Sequence, residues 1–249
     1  MNNQVLYKYR SYNCNSLSML KNREFYFSDP KHFNDPADCR IGIYDALKTA
    51  VNLAEKEDST VKSKLQKLGV LDKLFRQIEN DVKGSAVFSF SREENNVLMW
   101  SHYADSHKGF SVGFSLSNEF TKYNKENAIM GTEEVFYSKD NPFVEYFIGF
   151  AKSAKPPEWK EFWLSLLTMG LVAKSDAWKY ENEVRIIRGM PGKVNYSPDE
   201  LREVIFGLNL APKKRQRIKN LLSGGQWNHV QMKEVIREHD GFKLKVVVC

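Results

Sequence analysis

Two spacings of apolar side chains organise this chain: alternation, which marks a half-buried strand, and steps of three and four, which mark a helix. Val5 to Tyr9 alternates, Ser16 to Lys21 can close a short helix, and Glu24 to Phe27 is rich in aromatic residues, so the chain opens strand, helix, strand. Ser28 to Pro36 carries two prolines, which forbid regular structure. From Tyr44 to Val82 the pattern turns helical, with Leu47, Val51 and Ala54 on one stripe and Leu65, Leu68, Leu71, Leu74, Phe75 and Ile78 on another. That stretch predicts a helical insertion or lid at about 44–83.

A strand is expected at Ala86 to Phe90, a helix from Asn95 to Ala104 and a strand at Phe110 to Leu116, punctuated by Gly84, Asn95-Asn96 and Gly109. Further on come a strand at Glu134 to Tyr137 and helices at Val144 to Lys152 and Glu158 to Leu171. Alternation over Glu183 to Ile187 puts Glu183 and Arg185 on one strand face. Ser197-Pro198-Asp199-Glu200 is a capping box with proline at the first helical position. A strand at Val204 to Gly207, a basic helix at Pro212 to Leu222 and strands at Val230 to Arg237 and Leu244 to Val248 complete the pattern. The elements lack the regular βαβ rhythm of a doubly wound fold, so they predict one α+β domain over 1–249, a mixed, largely antiparallel sheet with flanking helices.

Composition changes the picture in one respect. Apolar residues at 42% and charged residues at 27% are ordinary for a folded protein. Lys and Arg exceed Asp and Glu by 37 to 31, giving a formal charge of +6, and Lys213, Lys214, Arg215, Arg217 and Lys219 crowd together as they would on a helix that contacts phosphates. Nucleic acid, with DNA favoured, is therefore the expected partner. The same run also suits a solvated helix face. Cys14, Cys39 and Cys249 are odd in number and far apart, which points to a reducing cytoplasm and to neither a disulfide framework nor a zinc motif. No apolar run reaches the ~18–20 residues of a membrane span, so no membrane partner is expected.

GxGxxG, the phosphate-binding glycine loop, HExxH, GxSxG and paired CxxC are all missing. Chemistry concentrates instead in three polar, aromatic clusters. Tyr7, Tyr9, Arg10 and Ser11 end the first strand, followed by Ser28, Asn34, Asp35 and Asp38. Arg10 at a strand end can clamp an anion bidentately, whereas Asn34-Asp35-Pro36 also suits a simple turn. Trp100, His102, Tyr103 and His107 fall within Met99 to Gly109, and His102 and Tyr103 suit proton transfer or base contact. Trp100 also suits the core, and His107 a helix C-terminus. Lys174, Asp176, Trp178, Tyr180, Glu181, Glu183 and Arg185 form the third cluster. Beside an arginine, Glu183 can stay ionised and stabilise a developing positive charge on a ribose, or the two can form a solvated pair on an exposed sheet face. No ligand spacing is diagnostic of a metal, although a metal-assisted hydrolase using His102, His107 and nearby aspartates is a third reading.

YKYRS, FSDPKHFNDPAD, MWSHYADSHKGF and WKYENEVRI together resemble a widespread bacterial domain family of unknown function. The order of strand, short helix, serine-bearing strand and late strand-borne glutamate is also similar to the ADP-ribosyltransferase layout. That resemblance implies Arg10, Ser28 and Glu183 at the positions that hold NAD and drive transfer, with Arg185 and the Trp100 to Gly109 segment outside the pattern. The favoured expectation is an enzyme that breaks an N-glycosidic bond, a DNA glycosylase in bacterial anti-phage defence needing no cofactor. Glu183, His102 and Asp35 would be catalytic, and Arg10, Ser28, Trp100, Tyr103, Trp178 and Arg185 would bind substrate. Lys213, Lys214, Arg215 and Arg217 would lie on the nucleic-acid backbone. The alternatives are an NAD-dependent ADP-ribosyltransferase and a non-catalytic recognition module.

Overall fold

The computed structural model describes residues 4–40, 42–54, 58–238 and 243–249. Its first elements are β1 (Leu6–Arg10), α1 (Cys14–Asn22), β2 (Glu24–Phe27), α2 (Ile43–Ala54), α3 (Ser59–Leu68), α4 (Asp72–Gly84) and β3 (Ala86–Ser91). The central ones are α5 (Val97–Tyr103), β4 (Phe110–Phe114), α6 (Asn118–Thr121), β5 (Ile129–Glu134), β6 (Phe136–Ser138), α7 (Pro142–Lys152) and α8 (Trp159–Val172). The last are β7 (Ala173–Ser175), β8 (Glu183–Arg188), β9 (Gly192–Asn195), β10 (Leu201–Phe206), α9 (Pro212–Leu221), β11 (Gln231–Arg237) and β12 (Leu244–Val248). The fold is α+β, as the periodicity predicts. Asparagine side chains start several helices: Asn13, Asn96 and Asn141 each accept a backbone N–H from the first turn of α1, α5 and α7.

The chain divides into two compact units, one of Met1–Ser28, Val87–Glu134 and Lys179–Cys249, the other of Asp29–Ala86 and Val135–Trp178. The first holds an eight-stranded sheet in the order β12-β11-β10-β4-β1-β3-β8-β5. β1 pairs antiparallel with β3 and β4, β10 with β4, β5 with β8 and β11 with β12, while β10 and β11 run parallel. The sheet is thus mixed and largely antiparallel, and strand alternation gives it two distinct faces. One face carries an aromatic core, with the Phe25 ring 4.7 Å from Phe88 and 4.8 Å from both Phe114 and Tyr196. The other is covered by α5, whose Met99 and Trp100 pack with Tyr9, Ile205 and Val235.

The second unit is a helical group with a short parallel ribbon of β6 and β7. Here α2, α3 and α4 supply the helices expected over 44–83. At Gly170 in α8 an added Cβ would lie 2.8 Å from Val82 in α4, so these helices approach more closely than a larger residue permits. Among the described residues, no helix is long and apolar enough to cross a membrane.

Several strands differ from expectation. The single strand expected at Glu134 to Tyr137 is two, β5 and β6, because the chain passes from one unit to the other between Glu134 and Val135. β7 and β9, three and four residues long, are too short for alternation to show in the sequence. The capping box at Ser197 to Glu200 forms a single 3-10 turn, in which the Glu200 carboxylate accepts from the Ser197 and Ser117 amides at 3.0 and 2.7 Å.

Candidate functional site

In the first unit the centre of interest is the segment that joins β3 to α5, together with Lys179 to Arg185. Asn96 caps α5 with its side-chain oxygen and donates from its amide nitrogen to the Tyr180 carbonyl at 2.9 Å. Ser91 donates to the Glu181 carbonyl at 2.6 Å, and the Tyr103 hydroxyl donates to the Glu181 carboxylate at 2.5 Å. These three bonds latch both ends of α5 and the end of β3 to the segment that enters β8, two through its backbone carbonyls and one through the Glu181 side chain. His102 lies with its ring 6.0 Å from that of Tyr180. The sequence predicts His102 and Tyr103 as a pair of working groups, and the structure adds Glu181 as the acceptor for Tyr103.

Two residues further on, Glu183 and Arg185 project from the same face of β8. Arg185 donates from Nε and Nη2 to the two Glu183 oxygens at 2.9 and 3.1 Å, a bidentate geometry that lysine does not offer. Their side chains are only 5% and 1% exposed, which rules out the solvated pair of an exposed sheet face. A carboxylate desolvated this far keeps its charge because a fixed cation holds both oxygens.

Trp100 is fully buried, set edge-on to Tyr9 at 5.0 Å, with its indole N–H on the Glu94 carbonyl at 3.2 Å. It belongs to the core under α5 rather than to an open surface. After α5, Asp105, Ser106 and His107 take successive left-handed conformations with φ of 50°, 51° and 66°. His107 stacks on Trp100, and its Nε2 lies 3.2 Å from the Ser101 hydroxyl while Nδ1 is buried with no hydrogen-bond partner among the described residues. Burial, and secondarily the charge of Arg237, push its imidazole below the ordinary histidine value.

A second polar group on the α5 face has no local sequence signal. The Tyr7 hydroxyl donates to Glu94 at 3.3 Å, and Lys233 lies 2.6 Å from Glu203 and 3.8 Å from Glu94. Burial, then the charges of Glu203 and Glu94, push the Tyr7 phenol well above its usual range. These residues come from four separate stretches of chain, so only the strand register brings them together.

Arg10 lies elsewhere. Tyr9 faces α5, so alternation sends Arg10 to the opposite face, where Lys8 already sits over the Phe88 ring at 4.5 Å. It therefore does not join Trp100, His102 and Tyr103 on one face. Burial pulls its guanidinium below the usual arginine value. Ser28 forms a backbone bridge with Val87, exchanging two bonds of 3.0 Å. On α9, Lys213 and Arg217 are exposed and Lys214 lies 4.9 Å from the Tyr12 ring. Arg215 departs from its expected role as a phosphate contact: it donates to the carbonyls of Leu210 and Gly207 at 3.0 and 3.3 Å and pairs with Glu234, so its fork is used within the fold.

In the second unit, Asp35 accepts the Ala37 amide at 2.8 Å, the turn geometry that Asn34-Asp35-Pro36 suggests. Asp35 also lines a cavity of about 180 Å³ with Asp38, Asn141, Lys174 and Ser175. Asp38 and Lys174 are both buried there, 3.7 Å apart, and the Lys174 ammonium lies 5.1 Å from the Trp178 ring. Their long separation in sequence hides that pairing. Among the described residues, no cluster of three or more His, Cys, Asp or Glu side chains is placed to hold a metal ion.

Residues 99–186 match the family described as Protein of unknown function (DUF2971). The resemblance expected from the motifs therefore holds over this stretch. The DUF2971 match starts within α5 and ends within β8, taking in MWSHYADSHKGF and WKYENEVRI, with Tyr103, Glu181, Glu183 and Arg185. YKYRS and FSDPKHFNDPAD, with Arg10, Ser28 and Asp35, lie outside it. No curated protein and no solved structure matches the chain.

Proposed function

We propose that this protein is an enzyme that breaks an N-glycosidic bond in nucleic acid, most simply a glycosylase that removes a modified base from DNA. The observation that carries this reading is the buried, bidentate Glu183–Arg185 pair, with Glu181 two residues before it. Cleavage places positive charge on the sugar, and a fixed negative charge in a low-dielectric setting stabilises it without reorganising. Glu183 supplies that charge. As the bond from C1′ to the base nitrogen breaks, a water oxygen bonds to C1′. The water proton passes to the Glu181 carboxylate, the departing base nitrogen takes a proton from solvent, and Glu181 returns its proton to solvent, so that one water is consumed in all. Tyr103 orients Glu181, and His102 with Tyr180 offers aromatic surface to an extruded base. The reading places the enzyme in the bacterial cytoplasm, in defence against phage DNA.

The test is to incubate the protein with phage DNA carrying modified bases and assay abasic sites by alkaline strand cleavage, with nicotinamide release from NAD measured in parallel. Abasic sites are expected, and Glu183→Gln is expected to reduce their rate by about 10²–10³, the usual cost of removing one preorganised electrostatic group. Nicotinamide release without abasic sites would instead establish the ADP-ribosyltransferase reading. One observation favours that second reading: Arg10, Ser28 and Glu183 all fall in the first unit, on or beside the neighbouring strands β1, β3 and β8. If neither product forms and Glu183→Gln leaves phage protection intact, the protein is a recognition module.

A further inference from the structure

Arg10 is a partly buried guanidinium with a buried, unpartnered Nε, and among the described residues it has neither hydrogen bond nor ion pair. Shielding a guanidinium nitrogen from water without a partner is costly, so such a group is suited to take an anion from outside the chain. What surrounds it is cationic. Cα registers place Arg10 opposite Phe110 and Phe110 opposite Phe206, which sets these three residues in one cross-strand row on the face away from α5. Over Phe206 lie Arg215 and Lys219 of α9, at 5.8 and 5.7 Å from the ring. Two residues beyond Arg10, the Tyr12 ring carries the ammonium of Lys214.

The helix itself, PKKRQRIKNL, contains no acidic residue. Among the described residues Glu234 pairs with Arg215 alone. Between α1 and α9 runs a groove of about 360 Å³, lined by Lys21 and Arg217 with Ser18, Asn22 and the apolar side chains of Leu17 and Leu221.

We propose that Arg10, Tyr12 and the α1–α9 groove form a binding surface for the phosphodiester backbone of nucleic acid, on the sheet face opposite α5. The surface rests on the nucleic-acid part of the proposed function and adds where the polymer is held. Three features select a polymer. From Lys213 to Lys219 the cations extend about 9 Å along the helix, more than one phosphate occupies. Arg10 and Tyr12 continue the cationic surface beyond α9. The partly exposed Tyr12 ring beside Lys214 is the kind of surface a strand with unstacked bases uses. The exposed side of α9 bears Pro212, Lys213, Gln216, Arg217 and Asn220 and offers no large apolar side chain to a lipid surface. Arg215 is the scaffold that fixes the helix, and Arg10 the clamp at its edge.

The experiment is equilibrium binding of the full chain to fluorescein-labelled single-stranded and duplex oligonucleotides over a range of salt. Removing one phosphate contact lowers the salt slope by about 0.7–0.9 and weakens binding about five- to eightfold at 0.1 M salt. Lys213→Ala/Arg217→Ala, at two exposed positions, is therefore expected to weaken binding about 25- to 60-fold and to lower the slope by about 1.4–1.8. Arg10→Gln is expected to cost at least a further about fivefold.

Lys67→Ala/Lys160→Ala removes the same charge from exposed positions in the second unit. An equal loss in that control, or unchanged binding in Lys213→Ala/Arg217→Ala, overturns the proposal. A mononucleotide that binds as tightly as the oligonucleotide, with no dependence on Lys213 or Arg217, reduces the site to a single-phosphate pocket and also overturns it. So does sedimentation with phosphatidylglycerol vesicles without oligonucleotide binding. Binding is read without turnover, so intact binding with no abasic sites refutes the glycosylase reading and leaves this surface standing.

Discussion

Arg185→Met tests whether the Glu183–Arg185 pair is the buried, fixed charge that the proposed chemistry needs. The substitution keeps an unbranched apolar stem of similar length but removes both donors from a carboxylate that is 5% exposed. Breaking a buried pair by deleting one partner costs about 3–5 kcal/mol, against ~0–1 kcal/mol for a solvated pair. In a chain of this size 1 kcal/mol moves the melting temperature by about 2–4 °C, so Arg185→Met should melt about 6–20 °C lower. Glu183→Leu/Arg185→Met replaces both charges with apolar groups and should recover much of that loss, giving a coupling energy of about 2 kcal/mol or more. Urea titrations of the wild type, both single variants and the double variant measure it, with coincident fluorescence and circular dichroism transitions licensing the free energies. A single-variant loss under about 1 kcal/mol, or additive single effects, would show that the pair behaves as though it were in water, and the electrostatic role of Glu183 would fall with it.

His107 gives a pH signature. Its folded value lies below the ordinary 6.5, so the unfolded chain binds the proton first as pH falls through about 6.5. Stability from this group is complete above that pH and declines below it. His107→Gln should flatten the wild-type decline between about pH 7 and 5, and parallel curves for the two proteins would sink the assignment. At Gly109 an added Cβ would sit 2.1 Å from the Arg10 carbonyl oxygen and 2.9 Å from that of Ala104, both backbone atoms. Gly109→Ala should therefore cost about 3 kcal/mol or more in the same urea assay, and a neutral result would mean the two backbones can separate. For catalysis, Glu183 as a fixed charge and Glu181 as the proton acceptor predict different pH–rate profiles. Glu183→Gln should lower the plateau without moving the acidic limb, whereas Glu181→Gln should abolish that limb; the reverse pattern would exchange their roles.

Local signals in the sequence place most elements of the first unit. The alternation of Val5 to Tyr9 becomes β1, Asn96 before an apolar run becomes the cap of α5, and the proline that starts the basic run becomes the first residue of α9. The third cluster is legible for the same reason: Glu183 and Arg185 are two residues apart on a strand, and that spacing alone makes them neighbours. Relations that depend on register or on distant chain stay hidden. Tyr7, Glu94, Glu203 and Lys233 meet only when β1, β4, β10 and β11 are ordered, and Asp38 meets Lys174 only when β7 forms. Arg215 looks like its cationic neighbours until the loop from Gly207 to Leu210 presents two carbonyls to it.

Arg10 shows how the two kinds of information combine. It stands beside Tyr9 in one motif, which invites reading both into a single site. Alternation already separates them, and the Tyr9–Trp100 contact decides which of the two faces α5. Once that is fixed, the row from Arg10 through Phe110 to Phe206 ties the arginine to α9 instead. The proposed carboxylate chemistry and the proposed phosphate-binding surface then have separate places in the unit. Separation suits a polymer substrate, because Arg185 already offsets part of the Glu183 charge and further cations there would weaken the negative field that stabilises a cationic sugar, while cations spread along another surface hold the strand without opposing it.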